Sequence, residues 1–370
     1  MAATTMENSS SAYCDPLRAQ QEKTLLFQRT PIVACFSSDV GNRGDCFVFD
    51  LAGTSILILR GKDLTLRAFL NRCPHRGTRL IATESGPTSI DSRGIRCPFH
   101  AWCFDLEGCL THRPGADGFD AQHKQQRQLT VVAVIEHLGM VYVQLKGQIE
   151  TEDIEQHLGA FHDEIELLEL PLMQRIQSYS LQAESNWKYA MDTYCEGYHF
   201  GVLHKDSIGS AFFSNVAVVD EFPPHWRMCF AESNLSALAL QDQHLWPDAT
   251  FSGVHFLFPN TLLVVSALKH GEMCVRMFQL LPGQQPGKMS CLITVYAPGS
   301  VRDDDERVAR EFAYNDATSD ITREDYEIAT QGYKNLANAP DEFRLIYGKN
   351  EPALQAFHRA LTEALSKDPE

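Results

Sequence analysis

The segments Cys73-Pro74-His75 and Cys97-Pro98-Phe99-His100 constrain this chain more than any other feature. Each short loop holds one thiol and one imidazole beside a proline, whose locked φ stiffens the backbone so that both side chains project together. A fold that uses these residues must bring two separate loops face to face. Two thiolates suit one iron and two imidazoles a second, the mixed ligation that raises the potential of a [2Fe-2S] cluster. A single zinc on two cysteines and two histidines is the competing reading. Zinc fingers, however, group cysteine with cysteine, and here each loop carries one of each.

A second constellation lies in Asn186–His204, NWKYAMDTYCEGYHFGVLH. Its pattern predicts a helix over Asn186–Val202, on which Glu196 and His199 are three apart and share a face, with Asp192 joining them. Gly201 would let the backbone bend and aim His199 and His204 at one point. Two imidazoles and one carboxylate make the facial triad of non-heme Fe(II) oxygenases, with positions left open for O2 and substrate. A His-x4-His pair alone is more often packing or surface, so the reading needs a third donor from far along the chain. Asp303, Asp304 and Asp305 read as a solvated charge run, whereas Asp316, Asp320 and Asp325 are candidates. For Asp325 the competing role is structural, as the acid of a near capping box begun by Thr322. Glu196-x-x-His199 is also half of a di-iron bundle motif, but such bundles need two copies and the chain has one.

With 370 residues the chain can hold two domains. Polar residues 1–30, with a helix expected over Asp15–Phe27, precede a strand-rich region over 31–148. There, hairpins are predicted about Gly61-Lys62-Asp63 and His137-Leu138-Gly139, with the ligand loops inserted between them. Residues 149–370 mix elements. A helix is expected over Glu152–Leu168, then a meander of half-buried strands, then closing helices over Arg323–Leu336 and Pro352–Ser366. The last places Leu354, Phe357, Leu361 and Leu365 on one stripe. The fold class read from this order is α+β. Net charge of −16 argues against nucleic acid or an anionic membrane as partner. No apolar run reaches membrane-spanning length. The opening MAATTMENSSSA lacks a basic and an apolar signal region, so a cytoplasmic setting is expected. Eleven cysteines in that setting imply free thiols and metal ligands. Those at 14, 35, 46, 109, 195, 229, 274 and 291 read as small buried apolar residues.

CPHRGTRL followed by CPFHAWCFDLEG resembles the Rieske domain of ring-hydroxylating and related oxygenases, and NWK followed by E-x-x-H-x4-H resembles their mononuclear iron motif. The resemblance implies an N-terminal Rieske [2Fe-2S] all-β domain and a helix-grip (START/Bet v 1-like) catalytic domain built on an antiparallel sheet. It assigns the cluster to Cys73, His75, Cys97 and His100 and the mononuclear Fe(II) to His199 and His204. It favours Asp325 as third ligand, since REDYEIATQ is similar to the family's ligand stretch. Glu196 becomes the acid that bridges His199 to a cluster histidine of a neighbouring subunit. The implied function is a terminal oxygenase that activates O2 to hydroxylate or oxidatively demethylate a small organic substrate. A cis-dihydroxylating ring dioxygenase is the alternative, and a Rieske electron carrier with an inactive second domain a more distant one. No G-x-G-x-x-G follows a strand, so NAD(P)H must act through a separate reductase, with or without a ferredoxin. A homotrimer is the family's expectation at this length. Departures include Ala101 in place of a common glycine, and a long 76–96 interval in which TESGPTSIDSRG reads as an extended hairpin. A pocket lining is expected from His255, Phe256, Phe258, Asn260 and Leu262, with Phe200, Val202 and Phe212.

Overall fold

The computed structural model describes residues 1–90, 94–120, 127–246, 253–267, 273–299 and 321–366. The chain forms two units, Phe27–Met173 and a second that joins Met1–Leu26 to Gln174–Glu370. No helix among the described residues is long and apolar enough to cross a membrane.

The Phe27–Met173 unit is built on a seven-stranded antiparallel sheet. From edge to edge it runs Ile32–Phe36, Met140–Gln144, Val131–His137, Leu66–Leu70, Thr54–Arg60, Asp45–Leu51 and Gly86–Ser89. Both predicted hairpins are present, in registers that pair Leu57 with Phe69 and Val134 with Val143. The second closes through Leu138-Gly139, and both residues have positive φ, the pattern whose twist matches two-residue hairpins. The 76–96 interval is not a hairpin of its own. Gly86–Ser89 instead pairs with Asp45–Val48 and extends the large sheet, because that edge offers free backbone groups. A small sheet of Ile95–Arg96, Cys103–Phe104 and Leu110–His112 carries the second ligand loop. Between the sheets lies a core that includes Leu57, Phe69, Trp102 and Phe104, and both Cys73 and Cys97 are packed into it. The helix expected over Glu152–Leu168 is broken into Thr151–Leu158 and Phe161–Glu166. The break is Gly159, at φ 52° and ψ −133°, which a side chain would not tolerate.

The second unit holds another seven-stranded sheet, ordered Met173–Ala183, Met289–Pro298, Met273–Pro282, Thr261–Ala267, Gly253–Leu257, His225–Glu232 and Phe212–Phe222. The C-terminal helix Pro352–Ser366 buries Leu354, Phe357 and Leu361 of its predicted stripe, whereas Leu365, in its last turn, is only partly buried. Phe357 meets Phe256 edge-on at 5.5 Å and Trp187 at 6.0 Å, so this helix, the sheet and the helix that starts at Trp187 share one core. Phe256 also stacks on Trp226, which takes it out of the predicted pocket lining and into that core.

The segment Met1–Leu26 is fastened by a buried charge. Glu22 accepts from Lys188 Nζ at 2.6 Å, from Trp187 Nε1 at 3.1 Å and from Arg18 Nε at 3.3 Å. Burial pulls the Lys188 pKa down and the Glu22 carboxylate opposes it, so the pair is held together by mutual need more than by net gain. We expect Glu22→Ala to cost about 3–5 kcal/mol by stranding a buried ammonium, whereas Glu22→Leu with Lys188→Met should be close to neutral. Denaturant unfolding of the three proteins checks the non-additivity.

Candidate metal centres

The two cysteine–histidine loops share one backbone design. Gly77 N–H donates to Cys73 C=O at 2.9 Å, and Ala101 N–H donates to Cys97 C=O at 3.0 Å. In each loop the donor residue lies four after the cysteine and has positive φ, +77° at Gly77 and +55° at Ala101. That conformation explains why glycine is common at the second position, and alanine there holds a strained backbone.

His75 and His100 sit 4.8 Å apart between ring centroids, and His75 stacks on Trp102 at 4.6 Å and 1°. The Nδ1 atoms of both histidines are buried without a hydrogen-bond partner. All eleven cysteines are free, and Cys73 and Cys97 are buried. Burial pushes the Cys73 thiol up to about 11 and pulls His75 down, which leaves the imidazole neutral and able to ligate. A lone zinc holds its donors at about 2.0–2.3 Å, so any two lie within roughly 4 Å. Among the described residues the donor triads that close within 4.8 Å are His199/His204/Asp325 and a surface group, His162/Asp163/Glu166. No three of Cys73, His75, Cys97 and His100 close that far, which suits two irons and not one ion. The remaining cysteines divide: 35, 46, 195, 274 and 291 are buried, whereas 14, 103 and 229 are partly exposed and Cys109 is exposed, contrary to expectation.

Around His199 the expected continuous helix is absent. Helix Trp187–Asp192 passes into a 3-10 turn at Thr193–Cys195, Glu196 is extended at φ −157° and ψ 163°, and a new short helix spans Phe200–Leu203. The cause is local. The Glu196 carboxylate accepts from the backbone N–H groups of Tyr198 and His199, so it caps the next turn and interrupts the helix. Glu196 still reaches His199, with Oε1 at 2.6 Å from Nδ1. Asp192 does not share this face. It accepts from Tyr13 Oη at 2.5 Å and lies 2.8 Å from His358 Nε2, in a buried polar cluster.

Asp325 lies on a helix that is already formed at 321 and runs to 336, so Thr322 does not cap it. Its Oδ1 is buried, has no hydrogen-bond partner, and lies 3.2 Å from His204 Nε2 and 3.5 Å from His199 Nε2. The two Nε2 atoms are 3.2 Å apart. Asp303, Asp304, Asp305, Asp316 and Asp320 lie outside the described residues. One participant was not foreseen: Glu324 Oε2 is 2.7 Å from His204 Nδ1 and accepts from Ser207 Oγ at 3.0 Å. Adjacent residues on a helix do not share a face, so nothing in the sequence places Glu324 beside Asp325 at one site. With a carboxylate on each Nδ1, both imidazoles carry their proton there and turn an Nε2 lone pair inward. Two lone pairs and a carboxylate oxygen then face one another, an arrangement that asks for a cation. The same demand shows in His204. Burial works against its protonation, yet Asp325 and Glu324 outweigh it and raise the pKa.

The triad forms one wall of a cavity of about 290 Å³. Phe200 and Phe212 line it as expected, together with Phe230, Phe278, Val254 and Val264. Val202 is 81 % exposed, and His255, Phe258, Asn260 and Leu262 are buried away from the cavity.

The described geometry has counterparts among known proteins. The model of the ring hydroxylating alpha subunit catalytic domain matches residues 171–367, and that of the Rieske [2Fe-2S] domain matches 30–123. The carnitine monooxygenase oxygenase subunit of Escherichia coli (strain K12) is 31% identical over 270 residues, which covers 71% of this chain and 68% of that one. The anthranilate 1,2-dioxygenase large subunit of Acinetobacter baylyi is 28% identical over 209 residues, 54% of this chain and 42% of that one. Among solved structures, a quaternary ammonium Rieske monooxygenase in complex with L-carnitine shares the fold, with a TM-score of 0.78 at 19% identity over 97% of this chain and 95% of that one.

Asp325→Ala should lose the mononuclear iron, whereas Glu324→Gln should fold, keep the visible spectrum of the cluster and bind iron about 10–100-fold more weakly. Metal analysis after dialysis against a graded chelator separates the two. Ala101→Gly should relieve about 1–2 kcal/mol of left-handed strain and give back about 0.5–1 in chain entropy, a net gain visible in thermal unfolding with the spectrum unchanged.

Proposed function

The chain belongs to the family of ring-hydroxylating oxygenase alpha subunits, and on that premise we propose that it is a monooxygenase that hydroxylates or oxidatively demethylates a small polar organic molecule. As in that family, it takes electrons from a separate reductase and uses O2 as co-substrate. The observation that carries the reading is a His/His/carboxylate triad set into the wall of an aromatic-lined cavity. At about 290 Å³ the cavity sits at the small end of ligand sites, which suits a short or single-ring molecule better than a steroid. Relatives named for carnitine and anthranilate support that size class.

In this reading Cys73, His75, Cys97 and His100 would hold the Rieske cluster in the Phe27–Met173 unit, wider than the 31–148 read from sequence. His199, His204 and Asp325 would hold Fe(II) in the unit that joins Met1–Leu26 to Gln174–Glu370, and not in one that starts at 149. When bound, the cluster supplies electrons singly and the ferrous ion uses them to activate O2 for insertion of one oxygen atom into the substrate. The chain's own residues do the rest. Glu196 and Glu324 fix the histidine tautomers, and Phe200, Phe212 and Phe230 exclude water and hold the apolar part of the substrate over the triad. An active oxygenase is the better reading than an electron carrier, because a carrier has no use for a preserved triad beside a cavity. The cytoplasm, with its reductases, is the compartment that fits.

The proposed assembly is a homotrimer in which Glu196 meets His100 of the partner subunit. Support comes from apolar exposure beside both groups: Tyr198 is 62 % and Val202 81 % exposed near Glu196, and Phe99 is 56 % exposed next to His100. A carboxylate that accepts from an imidazole on each side gives a short electron route and is stronger than a neutral acceptor. Glu196→Gln should therefore retain both metals and assemble, yet reoxidise its pre-reduced cluster far more slowly in stopped-flow with substrate and O2. Reoxidation at the wild-type rate would return Glu196 to a capping role alone.

A further inference from the structure

Among the described residues the cavity wall carries one cation, Arg276. The strand Met273–Pro282 alternates its side chains, so Arg276 and Phe278 share the face that lines the cavity. Across from it, on Thr261–Ala267, Val264 pairs with Arg276 and Ser266 lies on the same face. Arg276 Nη1 donates to Ser266 Oγ at 2.8 Å. Its Nε is buried and has no hydrogen-bond partner. Among the described residues no carboxylate pairs with this guanidinium. The acids that line the same cavity, Glu196 and Asp325, are turned to the histidines.

A half-buried guanidinium with an orphaned N–H is costly to keep in an apolar cavity unless something anionic arrives. Aromatic and aliphatic side chains around it exclude the water that would otherwise solvate it, and Ser266 holds the fork in place. Guanidinium presents paired N–H donors that match a carboxylate and cannot be deprotonated at working pH. We propose that Arg276 is a specificity residue that binds the carboxylate of an anionic substrate, with Ser266 as its positioning partner. This rests on the reading of the cavity as the substrate site. The cavity then has two poles, a cation on the sheet for the anionic end and the iron triad on the helical side for the carbon that reacts. Phe200 and Phe230, packed against each other with centroids 4.8 Å apart, form one aromatic wall for the apolar body that lies between the two poles.

The test compares matched probes on the iron-loaded holoprotein. Benzoate, 4-(trimethylammonio)butanoate and their primary amides are titrated while the spectrum of the ferrous site and its O2 uptake with reductase are followed. Carboxylates should bind about 10–100-fold more tightly than their amides. Arg276→Gln should erase that preference by weakening the carboxylates, with iron content and cluster absorption kept. Arg276→Lys should restore part of it, since charge returns without the fork. Ser266→Ala leaves the guanidinium in place and should lower the preference several-fold, which keeps a readout if Arg276→Gln folds poorly. Equal binding of acids and amides by wild-type protein that holds its iron would overturn the inference and leave the oxygenase reading standing. Wild-type protein without iron or cluster absorption would remove the oxygenase reading, and the inference with it.

Discussion

The arrangement on which the rest of the catalytic unit depends is the convergence of three electron-rich atoms that would repel one another unaided. His199 Nε2, His204 Nε2 and Asp325 Oδ1 lie within 3.2–3.5 Å of each other. Carboxylates behind both rings, Glu196 and Glu324, hold the Nδ1 side of each imidazole, so the inward Nε2 side is where a cation or a proton must relieve the repulsion. A folded protein retains such a cluster when the surroundings over-determine it. Here they do: His204 and Asp325 are buried, the Trp187 helix is tied to Glu22 through Lys188, and the C-terminal helix packs on Trp187. The segment Met1–Leu26 is therefore part of the apparatus that holds the triad, although residues 27–173 lie between them in the sequence.

The cluster loops solve a related problem differently. Instead of opposing carboxylates, a repeated backbone closure over four residues fixes each loop, and the thiols are sunk into the core beside Trp102 and Phe104. Two unpartnered Nδ1 atoms in a packed environment are costly unless a bound group pairs them, since each buried polar atom left unpaired costs stability. The alanine at the left-handed position of the second loop is a small local defect that the surrounding fold absorbs.

Between the triad and the sheet, the cavity sets the Arg276 guanidinium among aromatic walls, so shape and charge both bear on what can enter. The strand periodicity that faces Phe278 inward also forces Arg276 inward, and a cation at that register position is a choice of sequence that core packing alone would not make.

The sequence by itself determined which residue types stand as candidate donors and the order of the two domains. The mixed Cys/His loops, His199, His204 and Asp325 were legible because ligand chemistry admits few residue types at few spacings. Hairpins such as Thr54–Leu70 were legible because alternation and turn residues act locally. The tertiary structure decided what depends on long-range approach. It broke the helix at Glu196, where a side chain captures backbone N–H groups that helical periodicity would have given to carbonyls. It brought Glu324 to His204 around the side of a helix, moved Phe256 from the pocket into the core, and set Arg276 in the cavity against Ser266. None of these was readable in advance, because periodicity fixes which residues share a face of one element, and only packing decides what that face meets.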